Sequence, residues 1–157
     1  MNSTSSYYSS ESTCSAPDNL PGQIINVTLG DMGMQRMMSG TAPLGGHMRL
    51  VAIPSKVVAG EVSIIAANLG WRTHELVILP LTEGERAGAR IPNSEGRIDE
   101  TGSLGEASKN CGAGSGEGIE SGSISWMTLT LKPGRYELIC NLQNHYANGM
   151  YQELVVT

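Results

Sequence analysis

The stretch Cys140-Asn-Leu-Gln-Asn-His145-Tyr-Ala-Asn-Gly-Met150 limits what this chain can fold into more than any other. Four residues separate Cys140 from His145, and four separate His145 from Met150. A thiol, an imidazole and a thioether therefore come from one short loop. That loop must turn back on itself, and Asn148-Gly149 supplies a turn that tolerates positive φ just before Met150. One thiolate, two imidazoles and a weak axial thioether are the ligands of a type 1 copper site. The second imidazole must arrive from another strand end. His74, in Trp-Arg-Thr-His-Glu-Leu-Val-Ile-Leu (71–79), fits that place.

Each of these residues has an ordinary role when taken alone. A cysteine at a strand end is a small buried hydrophobe, a histidine beside Asn and Tyr is hydrogen-bonded, and a methionine before a strand is core. At this spacing, after a Pro133-Gly134 turn and a Tyr-Glu-Leu-Ile strand, they point together to one metal ion. His47 is the other spare imidazole, and an ordinary polar role is expected for it.

The rest of the chain reads as short strands. Residues 23–29 alternate, with Ile25, Val27 and Leu29 on one face. Strands are expected at 48–53, 61–68, 74–79, 123–131, 135–140 and 151–156, with Pro80 closing the fourth of these seven. In 61–68, Val62, Ile64 and Ala66 alternate with Ser63, Ile65 and Ala67; 123–131 alternates again through Ile124, Trp126 (flanked by Met127), then Leu129 and Leu131. About seven strands with turns between them predict an all-β, antiparallel Greek-key sandwich. Residues 81–122 hold ten glycines and form a long Gly/Ser-rich excursion, with a short helix or turn near 83–87. Loops of that length are commonly functional or tied down.

Residues 1–19 form a Ser/Thr-rich linker, and 20–157 form the single domain. No apolar run is long enough to span a bilayer, so a signal or anchor, if the protein has one, lies outside this sequence. With Cys140 assigned, Cys14 and Cys111 remain of the three cysteines. In an oxidising compartment they pair; two unpaired surface thiols are the alternative. Net charge is −5, which argues against nucleic acid as a partner. Charged residues make up only 16 %, which fits an acidic exterior, since fewer carboxylates then change state in acid.

These residues resemble the cupredoxins, and among them the sulfocyanin group of acidophilic archaea, relatives of rusticyanin. The resemblance spans about 20–157. It is carried by Leu-Val-Ala-Ile-Pro-Ser-Lys-Val-Val-Ala-Gly-Glu-Val (50–62), Thr-His-Glu-Leu-Val-Ile-Leu-Pro-Leu (73–81) and Pro-Gly-Arg-Tyr-Glu-Leu-Ile-Cys-Asn-Leu-Gln-Asn-His-Tyr-Ala-Asn-Gly-Met (133–150). It implies a cupredoxin-like β-sandwich holding one copper per chain on His74, Cys140, His145 and Met150. It further implies single-electron transfer on the extracellular face of the membrane, by a tethered monomer. A terminal oxidase, a cytochrome complex or an iron-oxidising pathway is the implied partner. Many cupredoxins carry Asn or Ser after the first histidine; here that residue is Glu75, with Asn68 or Asn141 as possible substitutes around Cys140.

His145, with uncharged Leu142, Ala147 and Gly149 beside it, is the expected electron-transfer surface. Three histidines are too few for the additional centres of a multicopper enzyme, so no enzymatic activity is expected. A copper carrier or storage protein is the alternative. It rests on Met32, Met34, Met37 and Met38, which otherwise read as soft apolar filler.

Overall fold

The computed structural model describes residues 14–31 and 48–157. Residues 1–13, the cluster Met32, Met34, Met37 and Met38, and His47 lie outside the described residues. Among the described residues there are ten strands and no helix. They are β1 (Gln23–Asp31), β2 (Met48–Ile53), β3 (Lys56–Val57), β4 (Gly60–Asn68), β5 (Leu76–Leu81), β6 (Gly105–Ala107), β7 (Gly112–Ala113), β8 (Ile124–Leu131), β9 (Gly134–Ile139) and β10 (Tyr151–Val156).

Two five-stranded sheets face each other, in the orders β2-β1-β4-β8-β7 and β3-β10-β9-β5-β6. The alternation of β1 and β4 sends Ile25, Val27, Leu29, Val62, Ile64 and Ala66 into the space between them. Leu76, Ile78, Leu138, Leu154 and Val156 meet them from the second sheet. The sandwich is mixed rather than purely antiparallel. β1 runs parallel to β4, β3 to β10 and β7 to β8. The β1-to-β4 connection contains β2 and β3, so it has the length that a parallel pairing needs.

The pairing of β8 with β4 decides which of its alternating side chains face the core. Its register sets Met127 opposite Ile64 and Ser125 opposite Ala66, so Ser125 and Met127 point inward. Leu129 and Leu131 share that face, while Ile124 and Trp126 turn to the outer side and stay half-buried. Pro80 does not close its strand either. It lies within β5 opposite Tyr136, beyond the reach of β6, which pairs only with Leu76, Val77 and Ile78. A proline there removes no ladder bond on the β6 side.

The long excursion is more structured than its composition suggests. It carries β6 and β7 and makes a turn, not a helix, near residue 83. It also covers the outer face of the second sheet. Val77, Leu79, Ile139 and Tyr146 form a separate cluster there with Ile98. β5 is thus buried on both sides, consistent with its continuous apolar sequence. Cys14 and Cys111 are joined in a disulfide, tying the N-terminal segment to the excursion. No helix among the described residues is long and apolar enough to cross a membrane.

Candidate metal centre

β9 delivers Cys140 to one end of the sandwich. The Cys140 N–H donates to the Met150 carbonyl at 3.1 Å, so the ladder between β9 and β10 continues across the base of the loop. Turn hydrogen bonds fill the interior. The His145 N–H donates to the Leu142 carbonyl, and the Met150 N–H donates to the His145 carbonyl at 3.2 Å. Gly149 takes φ 106°, and Asn144 also takes a positive φ of 68°. The backbone therefore has to turn sharply on both sides of His145.

His74 lies two residues ahead of β5. Instead of belonging to the strand, it forms an isolated antiparallel bridge with Ile119, exchanging both backbone bonds. The far end of the excursion holds it in place.

The candidate ligand atoms of His74, Cys140 and His145 all lie within 4.8 Å of one another, and all three residues are buried. Cys140 Sγ is 3.3 Å from His145 Nδ1 and 3.8 Å from His74 Nδ1, and the two Nδ1 atoms are 3.2 Å apart. Metal–nitrogen bonds of about 2.0–2.1 Å and metal–sulfur bonds of about 2.3 Å, set in a trigonal plane, separate the ligating atoms by about 3.5–3.8 Å. The triangle is therefore close to the right size. Met150 is fully buried in the same core cluster as Cys140. Two imidazoles, one thiol and a neighbouring thioether fit one type 1 copper.

Burial acts oppositely on the thiol and on the imidazole of His145. Burial pushes the Cys140 thiol up to about 12, so it is protonated until a metal displaces the proton. Burial, with His74 and Arg72 nearby, lowers His145 to about 4, leaving its ring neutral and able to ligate in mild acid. His74 Nε2 donates to Asp31 Oδ2 at 3.0 Å, which directs Nδ1 toward Cys140 and His145. Burial alone would raise Asp31. The bonds from His74 and from the Arg72 and Trp71 N–H groups outweigh it and hold the carboxyl below its usual value.

Asp31 was not legible in the sequence. An acidic residue at a strand end, 43 positions from its partner, reads as a solvated charge.

Glu75, Asn141 and Asn68, expected around Cys140, each make specific contacts. The Glu75 backbone N–H, not its side chain, donates to Sγ at 3.3 Å. The Asn141 side chain bonds Ile98 and Glu100. Asn68 bonds the Arg72 and Ile119 carbonyls and the Gly70 N–H, so it braces the segments flanking His74. At the end of the sandwich Ala147 is exposed, Leu142 and Gly149 are half-buried, and His145 is 8 % exposed.

Burial, with Glu106 and Glu100 nearby, raises Glu75 to about 7, and the Arg97 charge and the Asn141 N–H oppose that rise only in part. The fold thus prefers the neutral acid. Its contribution is fully present below the unfolded value near 4.5 and is lost as pH rises through 7. Glu75→Gln should therefore gain stability on the wild type, metal-free, by up to about 3 kcal/mol between pH 4 and pH 8. Urea melts at the two pH values measure this. An equal difference at both would contradict it.

No protein-family model matches this chain, and no curated protein sequence does. Solved structures do. Dithionite-reduced auracyanin from the photosynthetic bacterium Roseiflexus castenholzii superposes with a TM-score of 0.54 at 15 % identity, over 88 % of this chain and 99 % of that one. Auracyanin B gives 0.53 at 18 % identity, over 94 % and 96 %. Reduced rusticyanin gives 0.47 at 15 % identity, over 94 % and 90 %. The strand order, the paired sheets and the two auracyanin superpositions lead to one statement of kind: this chain has the cupredoxin-like Greek-key β-sandwich fold.

Proposed function

We propose that this protein is a type 1 copper electron carrier, with His74, Cys140, His145 and Met150 as its ligands. The observation that carries this reading is the buried triangle of two Nδ1 atoms and one Sγ. When bound, copper supplies a one-electron couple. The chain supplies a site that need not rearrange. Asp31 fixes the His74 tautomer, the Glu75 N–H faces the sulfur, and the core walls exclude water.

His145 is the ligand nearest solvent and provides the route for the electron. Leu142, Ala147 and Gly149 offer a small uncharged surface around it, suited to brief encounters. Placing a charge there, as in Leu142→Glu, should slow electron exchange with a redox partner about tenfold and leave the visible copper spectrum intact. Stopped-flow mixing measures the rate; unchanged kinetics would remove the surface from the account.

The finer assignment rests on the motifs at 50–62, 73–81 and 133–150, which resemble the sulfocyanins. On that basis the partners are respiratory or iron-oxidising redox proteins outside the cell, and a membrane tether holds the carrier near them. The disulfide between Cys14 and Cys111 supports an oxidising compartment.

A further inference from the structure

Residues 88–98 of the excursion cross the outside of the second sheet and touch the ligand loop at three points. On one side of His145, the Asn144 N–H donates to the Gly96 carbonyl at 2.9 Å. On the other side, the Tyr146 hydroxyl donates to Glu137 Oε2 at 2.7 Å and accepts from the Arg90 N–H at 3.1 Å. Nearer Cys140, the Ile98 N–H donates to Asn141 Oδ1 at 2.7 Å, and Asn141 Nδ2 returns a bond to the Ile98 carbonyl.

Glu137 is the centre of this arrangement. It is fully buried on β9, and its carboxylate receives Arg90 Nε at 2.6 Å, the Gly88 N–H at 2.7 Å and the Tyr146 hydroxyl. A second Arg90 nitrogen donates to the Pro80 carbonyl, so the guanidinium is fixed as well. A buried carboxylate is tolerated only when it is paired and hydrogen-bonded in this way. Gly96 takes φ 72°, and a Cβ there would run into the Asn144 side chain. The approach of the two segments therefore requires glycine.

We infer that residues 88–98 are a positioning strap for the metal-binding loop, gripping the chain neighbours of His145 on both sides so that its imidazole keeps one orientation. Arg90, Gly96 and Ile98 carry the strap's side of the contact; Asn141, Asn144 and Tyr146 carry the loop's. The neighbours on both sides of His145 are held to elements that do not themselves ligate. This inference rests on the proposed copper reading for its consequence, but the strap itself can be measured without metal.

Two arms test it. In the metal-free wild type, amide hydrogen exchange should place the Asn144 N–H in the same slow class as the amides of β9. Exchange at the rate of an open loop would overturn the strap. In the copper-loaded protein, Tyr146→Phe and Gly96→Ala should each release copper to a chelator about tenfold faster and alter the copper hyperfine splitting in electron paramagnetic resonance. A Val62→Ala control, destabilised in the distant core, should release copper at the wild-type rate. Wild-type release rates and spectra in both folded variants would overturn the inference while leaving the copper reading standing. A wild-type protein with no thiolate–copper signal would instead fail the copper reading, and the exchange arm would still decide the strap.

Discussion

Cys140→Ser is expected to lower copper affinity more than about 100-fold, beyond the upper end of what losing an outer hydrogen-bond partner costs. The thiolate is the only anionic ligand in the set, and a serine hydroxyl is a poor substitute for it near neutral pH. The fold should survive. Cys140 is fully buried, but the new hydroxyl would have the Glu75 N–H as a donor and His145 Nδ1 as an acceptor within reach. A buried hydroxyl that keeps partners costs little. The metal-free melt should therefore stay close to the wild type, while chelator competition shows the lost affinity. Retained affinity in the variant would demote Cys140 to a core residue.

The largest effect on stability is expected from the disulfide. Cys14 and Cys111 are 97 positions apart in sequence. Closing a loop of that length removes about 5 kcal/mol of chain entropy from the unfolded state. At about 2–4 °C per kcal/mol for a chain of this size, Cys14→Ser with Cys111→Ser should lower the melting temperature by at least about 10 °C. Calorimetry on both forms, with and without reductant, measures it. The bridge lies on the excursion next to β7, so the copper spectrum should not change. A melting point unmoved by the double substitution would mean that the loop stays closed without the covalent link.

What could be read from the sequence was local. Cys140, His145 and Met150 sit on one loop, so their spacing alone places three candidate ligands together. The inward face of β4 could be read because Val62, Ile64 and Ala66 alternate across a full strand. The face of its neighbour β8 could not be read, because Ile124 and Trp126 are more apolar than the Ser125 that goes inside. Pairing with β4 decided that face, and pairing is not a property of one segment. β6 and β7, at three and two residues, are too short for any periodicity to show.

The bracing around the site was hidden for a related reason. Asp31 reaches His74 from the end of β1, and Glu137 on β9 looks like an ordinary strand carboxylate until Arg90 and Tyr146 are folded over it. Gly88 and Gly96 read as loop composition, although one donates to Glu137 and the other receives Asn144. Glu75 stands where many cupredoxins carry Asn or Ser. It brings a backbone N–H to the sulfur and a carboxyl to the Asn141 N–H.

The most direct test of the central claim is the visible absorption spectrum of the metal-free protein as Cu(II) is added. The account expects an intense blue thiolate-to-copper band that saturates at one copper per chain and bleaches on reduction. A protein that binds copper yet stays colourless would contradict it, since the triangle of His74, Cys140 and His145 would then not be the site that holds the metal.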